Sequence, residues 1–343
     1  MSSSHGDASR GDAPIEAIDL RRTYRAYTGW LTRRHTEIDA VRGISFSVAP
    51  GELFGLLGPN GAGKTTTIKM LNTLLLPTSG SARILGHDVT SQPMEVRRRI
   101  GYVFGGDKGL YDRLSAQDNL RYFAELYCVE PREQRARIGE LLELVGLKGR
   151  EKERVEGYSR GMRQRLHIAR GLLHRPAVLF LDEPSIGLDP VAARELRRIV
   201  ADLKTQGVTI LLTTHYMAEA DELCDRIAVI DHGLIQALGT PRELKARVDS
   251  GPVLEVDSTD VTEQHLTALS ALPGARDVSM VDTDDRKTIT IHTEKGADLY
   301  GAVASVLAGL DIARFTSREP TLEDAYVGIL TESAALQQGA VGA

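Results

Sequence analysis

The chain has 343 residues, 42% of them hydrophobic and 26% charged, a composition that predicts a globular protein of two or three domains and excludes a largely disordered one. The net charge of −5 excludes a global basic field, so we expect no nucleic-acid partner. Two distant cysteines, Cys128 and Cys224, predict a reducing compartment and exclude a disulfide framework.

Residues 1–14 are polar and lack the apolar core of a secretory signal, so we expect a disordered N-terminal segment. No apolar run approaches the roughly 20 residues that span a bilayer. The longest runs, 177–181 and 208–212, have the length of strands. The sequence therefore predicts a cytoplasmic protein whose role at a membrane, if any, depends on a partner.

Residues 15–248 predict an α/β domain. The segment up to about residue 55 indicates β-structure, because residues 44–48 alternate apolar and polar side chains. Residues 105–175 are rich in helical periodicity and predict a helical subdomain. Short apolar runs bounded by turn residues predict a parallel sheet buried on both faces, and they cover residues 52–57, 177–181, 208–212 and 226–230.

The composition changes after this domain. Residues 249–252, Asp-Ser-Gly-Pro, predict a linker. Residues 253–330 follow the order β-α-β-β-α-β and predict a small α+β accessory domain of ferredoxin-like type. Residues 331–343 predict a flexible tail.

A glycine-rich segment joins the strand at 52–57 to a helix predicted over 65–71, and it has the pattern G-x-x-x-x-G-K-[ST] of a phosphate-binding loop. Its glycines allow backbone N–H groups to point at phosphates, its lysine supplies a positive charge and its first threonine is a ligand for Mg²⁺. The segment predicts a bound nucleoside triphosphate without separating a kinase, a GTPase, a motor or a transporter ATPase. Its residues are Gly58, Pro59, Asn60, Gly61, Ala62, Gly63, Lys64, Thr65 and Thr66.

An acidic pair follows the apolar run at 178–181. Asp182 is expected at the carboxyl edge of the sheet, where it can hold Mg²⁺. Glu183 can orient or deprotonate a water molecule for attack on the γ-phosphate. His215 follows the strand at 208–212 at the same edge and can donate to the γ-phosphate.

Residues 158–165 read Tyr-Ser-Arg-Gly-Met-Arg-Gln-Arg and open a helix predicted over 162–174, with Ser159 as its N-cap. The N-terminus of that helix can bind an anion. Because one loop already cradles the triphosphate, a second anion site implies a nucleotide shared between two subunits.

Taken in order, these motifs resemble the ATP-binding subunits of ABC transporters over about residues 15–245. The resemblance implies an ATPase domain with a β-subdomain, a parallel-sheet core and a helical subdomain, with ATP and Mg²⁺ bound. It also implies that Ser159 and Gly161 contact the nucleotide of the opposite subunit, that Asp189 lies in the D-loop, and that an aromatic ring stacks on adenine. Tyr24 is the best match for that ring, and Tyr27 is second.

Three segments resemble the daunorubicin-resistance type of drug exporter ATPase: the residues of the phosphate loop, the Tyr-Ser-x-Gly-Met signature, and residues 318–326. Two features depart from that family. Arg160 replaces the first signature glycine, and can contact phosphate, meet an acidic group or face solvent. In that family a glutamine usually follows the sequence Ile-Gly-Tyr-Val-Phe, which is residues 100–104 here, but residues 105–107 read Gly-Gly-Asp. Asp107 or a glycine carbonyl can substitute for that glutamine, or the glycines can serve only as a hinge.

The resemblance implies a subunit that dimerises head to tail over two ATP molecules and powers export through a separate permease at the cytoplasmic face of the membrane. The helical block around 105–145 is the expected docking surface. Export of lipid, polysaccharide or ion is an alternative, and a soluble ATPase acting on ribosomes or DNA is another. The C-terminal domain can regulate, dimerise or cap the ATPase.

Overall fold

The structure is a computed structural model. It describes residues 13–28, 34–106, 109–247, 250–283 and 286–341, and their side chains apart from those of 26–28, 34–36, 250, 283 and 332–341. The chain divides into two compact units, Met1–Thr240 and Pro241–Ala343. The sequence placed the boundary near 248, and the two positions differ because the helix after Thr240 packs within the second unit.

The first unit mixes strands and helices. In chain order its elements are β1 (Ile15–Thr28), β2 (Arg34–Val48), β3 (Leu53–Leu57), α1 (Lys64–Leu71), β4 (Ser79–Ile84), β5 (His87–Asp88), α2 (Pro93–Arg97), β6 (Ile100–Phe104), α3 (Ala116–Leu126), α4 (Pro131–Leu144), a 3₁₀ helix (Val155–Gly157), α5 (Arg160–Gly171), β7 (Val178–Asp182), α6 (Pro190–Thr205), β8 (Thr209–Thr214), α7 (Met217–Leu223), β9 (Arg226–Asp231) and β10 (Leu234–Gly239).

A central sheet of six strands in the order β10-β9-β3-β8-β7-β6 positions the predicted motifs. All pairs from β9 to β6 are parallel, and every residue of β3, β7 and β8 is buried, as predicted for a sheet covered on both faces. Parallel strands bring their carboxyl ends to one edge. Asp182, at the end of β7, lies opposite Thr213 in β8 and Phe104 in β6.

A second, antiparallel sheet has the order β2-β1-β4-β5. Its inner face joins the central sheet in one apolar core, in which the rings of Phe46 and Phe54 stack 5.1 Å apart. This packing brings Ala40 of β2 beside the loop between β3 and α1. The segment between β6 and β7 is helical, as predicted, and α3 begins where the Ser115 hydroxyl accepts the N–H of Asp118.

The second unit begins with α8 (Pro241–Arg247), followed by β11 (Ser250–Ser258), α9 (Glu263–Ser270), β12 (Ala275–Thr283), β13 (Arg286–Glu294), α10 (Tyr300–Val306), β14 (Ile312–Arg318) and α11 (Leu322–Val341). Its sheet has the order β12-β13-β11-β14, and all three pairs are antiparallel. The chain order from β11 to β14 is the β-α-β-β-α-β order of the sequence analysis; the ferredoxin-like assignment stays a prediction.

Two segments of this unit differ from expectation. Residues 250–252 of the expected linker belong to β11, where the pairing with β13 shifts register between Ser250 and Val253. The expected tail is helical as far as Val341, because its Ala, Leu and Gln residues favour helix. In the described ranges, no helix is both long and apolar enough to cross a membrane.

Candidate nucleotide-binding and catalytic site

The loop between β3 and α1 can form only because two of its residues lack side chains. A Cβ atom at Gly58 would lie 2.1 Å from the carbonyl oxygen of Ile230. Gly63 has φ of +106°, and its Cβ would lie 2.5 Å from the carbonyl oxygen of Ala40. The glycines of the motif are therefore required by the fold itself, and the loop opens helix α1 directly at Lys64.

Lys64 is almost completely buried, with 4% of its side chain exposed. Its ammonium group donates to the carbonyl oxygens of Gly58 at 2.7 Å and Pro59 at 3.0 Å, and it lies 3.2 Å from Oε1 of Glu183. A buried ammonium with three oxygen partners is a fixed point charge. The phosphate loop and the carboxylate after β7 therefore meet at this lysine.

Other residues of the predicted phosphate loop lie around the contact between Lys64 and Glu183. Ala62 is buried, and its N–H donates to the carbonyl of Pro59 at 3.2 Å. A small pocket beside the loop is lined by Ala40, Asn60, Gly61, Gly63, Lys64, Thr65, Thr66 and Glu183.

Asp182 is the centre of a hydroxyl network. Its Oδ1 accepts hydrogen bonds from Thr65 at 3.1 Å and Thr213 at 2.6 Å, and its Oδ2 lies 3.4 Å from the hydroxyl of Tyr102. Burial, and then the Asp182 carboxylate, raise the pKa of Tyr102, so the hydroxyl stays protonated and can donate. Thr65 and Asp182, both predicted as Mg²⁺ ligands, are therefore adjacent.

These oxygen donors fit Mg²⁺, which binds proteins through one or two carboxylates together with substrate phosphates. The described residues contain no cluster of three or more His, Cys, Asp and Glu that could hold a metal unaided. Thr65 and Asp182 would hold the ion jointly with a bound triphosphate.

Glu183 has an unusual backbone conformation for a residue with a side chain, with φ of +48°. Its N–H donates to both the carbonyl and the hydroxyl of Thr213, at 3.1 and 3.0 Å. Its carboxylate lies between Lys64 and His215, whose Nδ1 is 3.2 Å from Oε2 without hydrogen-bond alignment. The structure thus brings Glu183 and His215, which the sequence placed at one sheet edge, together with Lys64 of the phosphate loop.

Gly105 occupies the position of the glutamine that the sequence analysis found missing. Its N–H donates to the carbonyl of Asp182 at 2.8 Å, and its Cβ atom would lie 2.2 Å from the carbonyl oxygen of Glu183. No side chain fits there in this conformation. Asp107, named as a possible substitute, lies outside the described residues.

The signature residues lie together with the D-loop, and the structure records no hydrogen bond from Ser159 to the phosphate loop among the described residues. The Ser159 hydroxyl caps α5 by accepting the N–H of Met162 at 3.2 Å, and a Cβ at Gly161 would meet Ala192 of α6. Asp189 caps α6 by accepting the N–H groups of Val191 and Ala192.

Arg160 makes a contact that the sequence did not suggest, in addition to the phosphate contact, acidic contact and solvent exposure considered for it. Its guanidinium donates to the carbonyl of Gly187 at 3.0 Å, so it ties the signature segment to the D-loop of the same chain. Residue 187 has φ of +69°, which favours glycine, and an added Cβ, 2.4 Å from the guanidinium, would displace the Arg160 side chain.

Tyr24 lies in β1, opposite Ile38 of β2, and the guanidinium of Arg22 is 4.9 Å from its ring centroid. Ile38 precedes Ala40, which lines the pocket beside the phosphate loop. Tyr24 is therefore on the sheet that borders this pocket. The side chain of Tyr27 lies outside the described part of the chain.

Two residues of the site were assigned no role at the level of sequence: Tyr102 and Thr213. A signal existed for Thr213, because it directly follows the apolar run at 208–212 and therefore lies at the same sheet edge as Asp182 and His215. For Tyr102, the alternation along β6 predicts which face of the sheet the side chain lies on, but not that its hydroxyl contacts Asp182.

The fold and this site define a phosphate-loop nucleoside triphosphatase in which an acidic pair and a histidine face the loop. The sequence profile described as "ABC transporter" matches residues 41–186. The linearmycin resistance ATP-binding protein LnrL of Bacillus subtilis is 35% identical over 84% of this chain and 93% of its own length. The doxorubicin resistance ATP-binding protein DrrA of Mycobacterium tuberculosis is 41% identical over 86% of this chain and 90% of its own length.

Among solved structures, CbiO1 of Clostridium perfringens, part of an ABC transporter complex, is 28% identical with a TM-score of 0.60 over 68% of this chain and 91% of that one. The chain therefore belongs to the ATP-binding proteins of ABC transporters, in the branch of the daunorubicin and doxorubicin resistance proteins. It is an ATPase of the ABC type.

Proposed function

We propose that this chain hydrolyses ATP to power export of a drug-like or hydrophobic substrate through a separate membrane permease. The observation that carries the proposal is the meeting of Lys64, Glu183 and His215 beside the Thr65–Asp182 pair. The similarity to linearmycin and doxorubicin resistance proteins supports the class of cargo.

In this proposal the phosphate loop binds ATP through its backbone N–H groups and Lys64. Phosphate oxygens compete with Glu183 for the Lys64 ammonium, since that group already has three oxygen partners. Thr65 and Asp182 would hold Mg²⁺, which would supply positive charge to neutralise the phosphates. Tyr24 stacks on the adenine ring.

Hydrolysis then depends on Glu183 and His215. The carboxylate of Glu183 orients or deprotonates the attacking water, and His215 donates to the γ-phosphate. The distance of 3.2 Å between the two side chains supports a base and a donor that act on the same side of the phosphate loop. Both residues follow buried strands, so their positions are set by a rigid sheet.

A second copy of the chain completes the site in this proposal. Ser159 and Gly161 lie at the N-terminus of α5, whose N–H groups favour an anion. Arg160 ties this segment to the D-loop through the carbonyl of Gly187, and Asp189 caps the helix that follows the D-loop. Two copies arranged head to tail would place each signature over the γ-phosphate of the other.

A groove in the first unit is the proposed docking site of the permease, at the cytoplasmic face of the membrane. It has a volume of about 710 Å³ and lies among α2, the turn between α3 and α4, and the end of α5. Arg97, Arg98 and Arg175 give it positive charge, and Met94 and Leu126 are each 58% exposed. Such a surface fits a cytoplasmic segment that carries apolar and acidic side chains.

The central test compares the wild-type chain with Glu183→Gln. We expect the variant to lose ATP hydrolysis while it still binds ATP, and to elute as a dimer with ATP and Mg²⁺ on gel filtration. Unchanged turnover in Glu183→Gln would refute the assignment of the base. A variant that stays monomeric would refute the shared site.

The partner is tested separately, by co-purification with a membrane protein encoded beside this chain. Replacing Arg98 and Arg175 by glutamate should remove the permease from the purified complex. Arg154→Glu is the control, because Arg154 is exposed and lies outside the groove. Equal recovery of the permease with both variants would exclude this docking surface.

A further inference from the structure

Thr213 is a buried polar residue that none of the motifs includes. It lies near the end of β8, between β3 and β7, and its side chain has no exposed surface. A buried hydroxyl needs partners for its proton and its lone pairs. The partners of Thr213 are Asp182, the last residue of β7, and Glu183, which follows it.

The Thr213 hydroxyl joins these residues in opposite senses. It donates to Oδ1 of Asp182 at 2.6 Å and accepts the N–H of Glu183 at 3.0 Å. Since a hydroxyl has one proton, donation to Asp182 fixes its direction and leaves a lone pair for Glu183. One side chain therefore sets the distance between both carboxylate-bearing residues and β8.

This contact occurs where the backbone of Glu183 leaves the strand conformation. A φ of +48° is unfavourable for a residue with a Cβ and needs support from its surroundings. Thr213 supplies that support twice, through its hydroxyl and through its carbonyl oxygen at 3.1 Å. The conformation directs the Glu183 carboxylate between Lys64 and His215.

We propose that Thr213 is a positioning residue whose hydroxyl holds the metal-binding Asp182 and the catalytic Glu183 in register. The neighbouring hydroxyl does not duplicate this role, because Thr214 accepts the N–H of Tyr216. Thr65 also donates to Asp182 but belongs to α1, so it cannot tie Asp182 to Glu183. The inference rests on the proposed roles of Asp182 and Glu183.

The experiment compares Thr213→Val, which removes the hydroxyl at nearly constant volume, with Thr213→Ser, which keeps it. We expect the valine variant to lower kcat about 10- to 100-fold, the range for partners that orient a metal ligand. ATP affinity without Mg²⁺ should stay within about threefold, because the phosphate loop is untouched, while the gain in affinity on adding Mg²⁺ should shrink. Serine should restore both quantities to within about threefold.

Thr209→Val is the matched control. Thr209 lies at the other end of β8, is also buried, and its hydroxyl accepts one backbone N–H, that of Gly51 at 3.0 Å. This variant loses a buried hydrogen bond in the same strand without touching the acidic pair. Its kcat should match the wild type, which separates positioning from a general loss of stability.

Two results would overturn the inference: kcat in Thr213→Val within threefold of the wild type, or a serine variant as impaired as the valine variant. Should valine prevent folding, Thr213→Cys replaces it, since a thiol is a weak donor of similar size. Glu183→Gln separates the two levels. If that variant keeps turnover, the proposed function fails, whereas if it loses turnover and Thr213→Val does not, only this inference fails.

Discussion

Gly105 offers a sharp test of how the backbone positions the proposed base. An ideal Cβ at this residue would lie 2.2 Å from the carbonyl oxygen of Glu183 and 2.7 Å from Cγ2 of Ile186, and contacts under 3.0 Å essentially never occur. The two segments are tied on both sides, by Gly105 N–H to Asp182 and by Glu183 N–H to Thr213. In Gly105→Ala, therefore, backbone must move or strain must remain.

The size of the effect follows from this overlap. One extra methyl in a packed site costs about 1–3 kcal/mol. If the chain retains the strain, the free energy of unfolding falls by this amount. If Glu183 moves instead, the same energy appears in the barrier to hydrolysis, and at a factor of ten per 1.4 kcal/mol the loss in kcat is about 5- to 150-fold.

The assay measures both quantities on the same protein, kcat for ATP hydrolysis and the free energy of unfolding in urea. Gly139→Ala is the control, because Gly139 lies inside α4 and, apart from its own helix backbone and chain neighbours, no described atom lies within 4 Å of its added Cβ. We expect that control to keep its kcat and to gain up to about 1 kcal/mol of stability. A Gly105→Ala variant unchanged in both quantities would refute the reasoning.

Two further predictions concern stability. Burial, and then Arg170, lower the pKa of His167 from 6.5 to about 3, so unfolding takes up a proton, and the free energy of unfolding falls by up to about 1.4 kcal/mol per pH unit as the pH drops through that range. Urea unfolding at pH 7 and pH 5 should show a smaller change in the free energy of unfolding for His167→Leu than for the wild type. An equal change in the two proteins would contradict this prediction. Arg318 donates to Asp324, whose side chain is 9% exposed. Because Arg318→Met leaves this carboxylate without that donor, we expect it to destabilise the second unit by about 1–3 kcal/mol. An unchanged Tm in thermal unfolding would exclude a role for the pair in stability.

Much of the fold could be predicted because apolar runs and motifs coincide. The strand before Gly58 and the helix after Gly63 follow from one segment. The apolar runs at 177–181 and 208–212 predicted the neighbouring strands, which the structure places at 178–182 and 209–214. Residues 250–252 were missed because Gly and Pro usually end a strand, whereas here a register shift admits them at the start of β11.

The site could be predicted only as far as strand ends define it. Asp182, Glu183 and His215 follow buried parallel strands, so their common edge follows from topology. The bond from Arg160 to Gly187 and the contacts of Thr213 do not follow, because they depend on side-chain direction between segments distant in sequence. The same holds for Gly105, because only the structure shows that the carbonyl of Glu183 occupies the space that a side chain there would need.

Strand β6 connects the proposed docking groove to the proposed base. It begins at Ile100, whose carbonyl is 2.9 Å from Nε2 of His174 in the groove wall, and it leads directly to Gly105. A partner influences a distant site only if its contacts differ between two arrangements of an element that both sites share. At Gly105 the continuation of β6 lies too close to the backbone of Glu183 to admit a side chain. We therefore expect a shift of this strand toward β7 to displace Glu183, which makes the Gly105–Glu183 contact the place where docking and hydrolysis would meet.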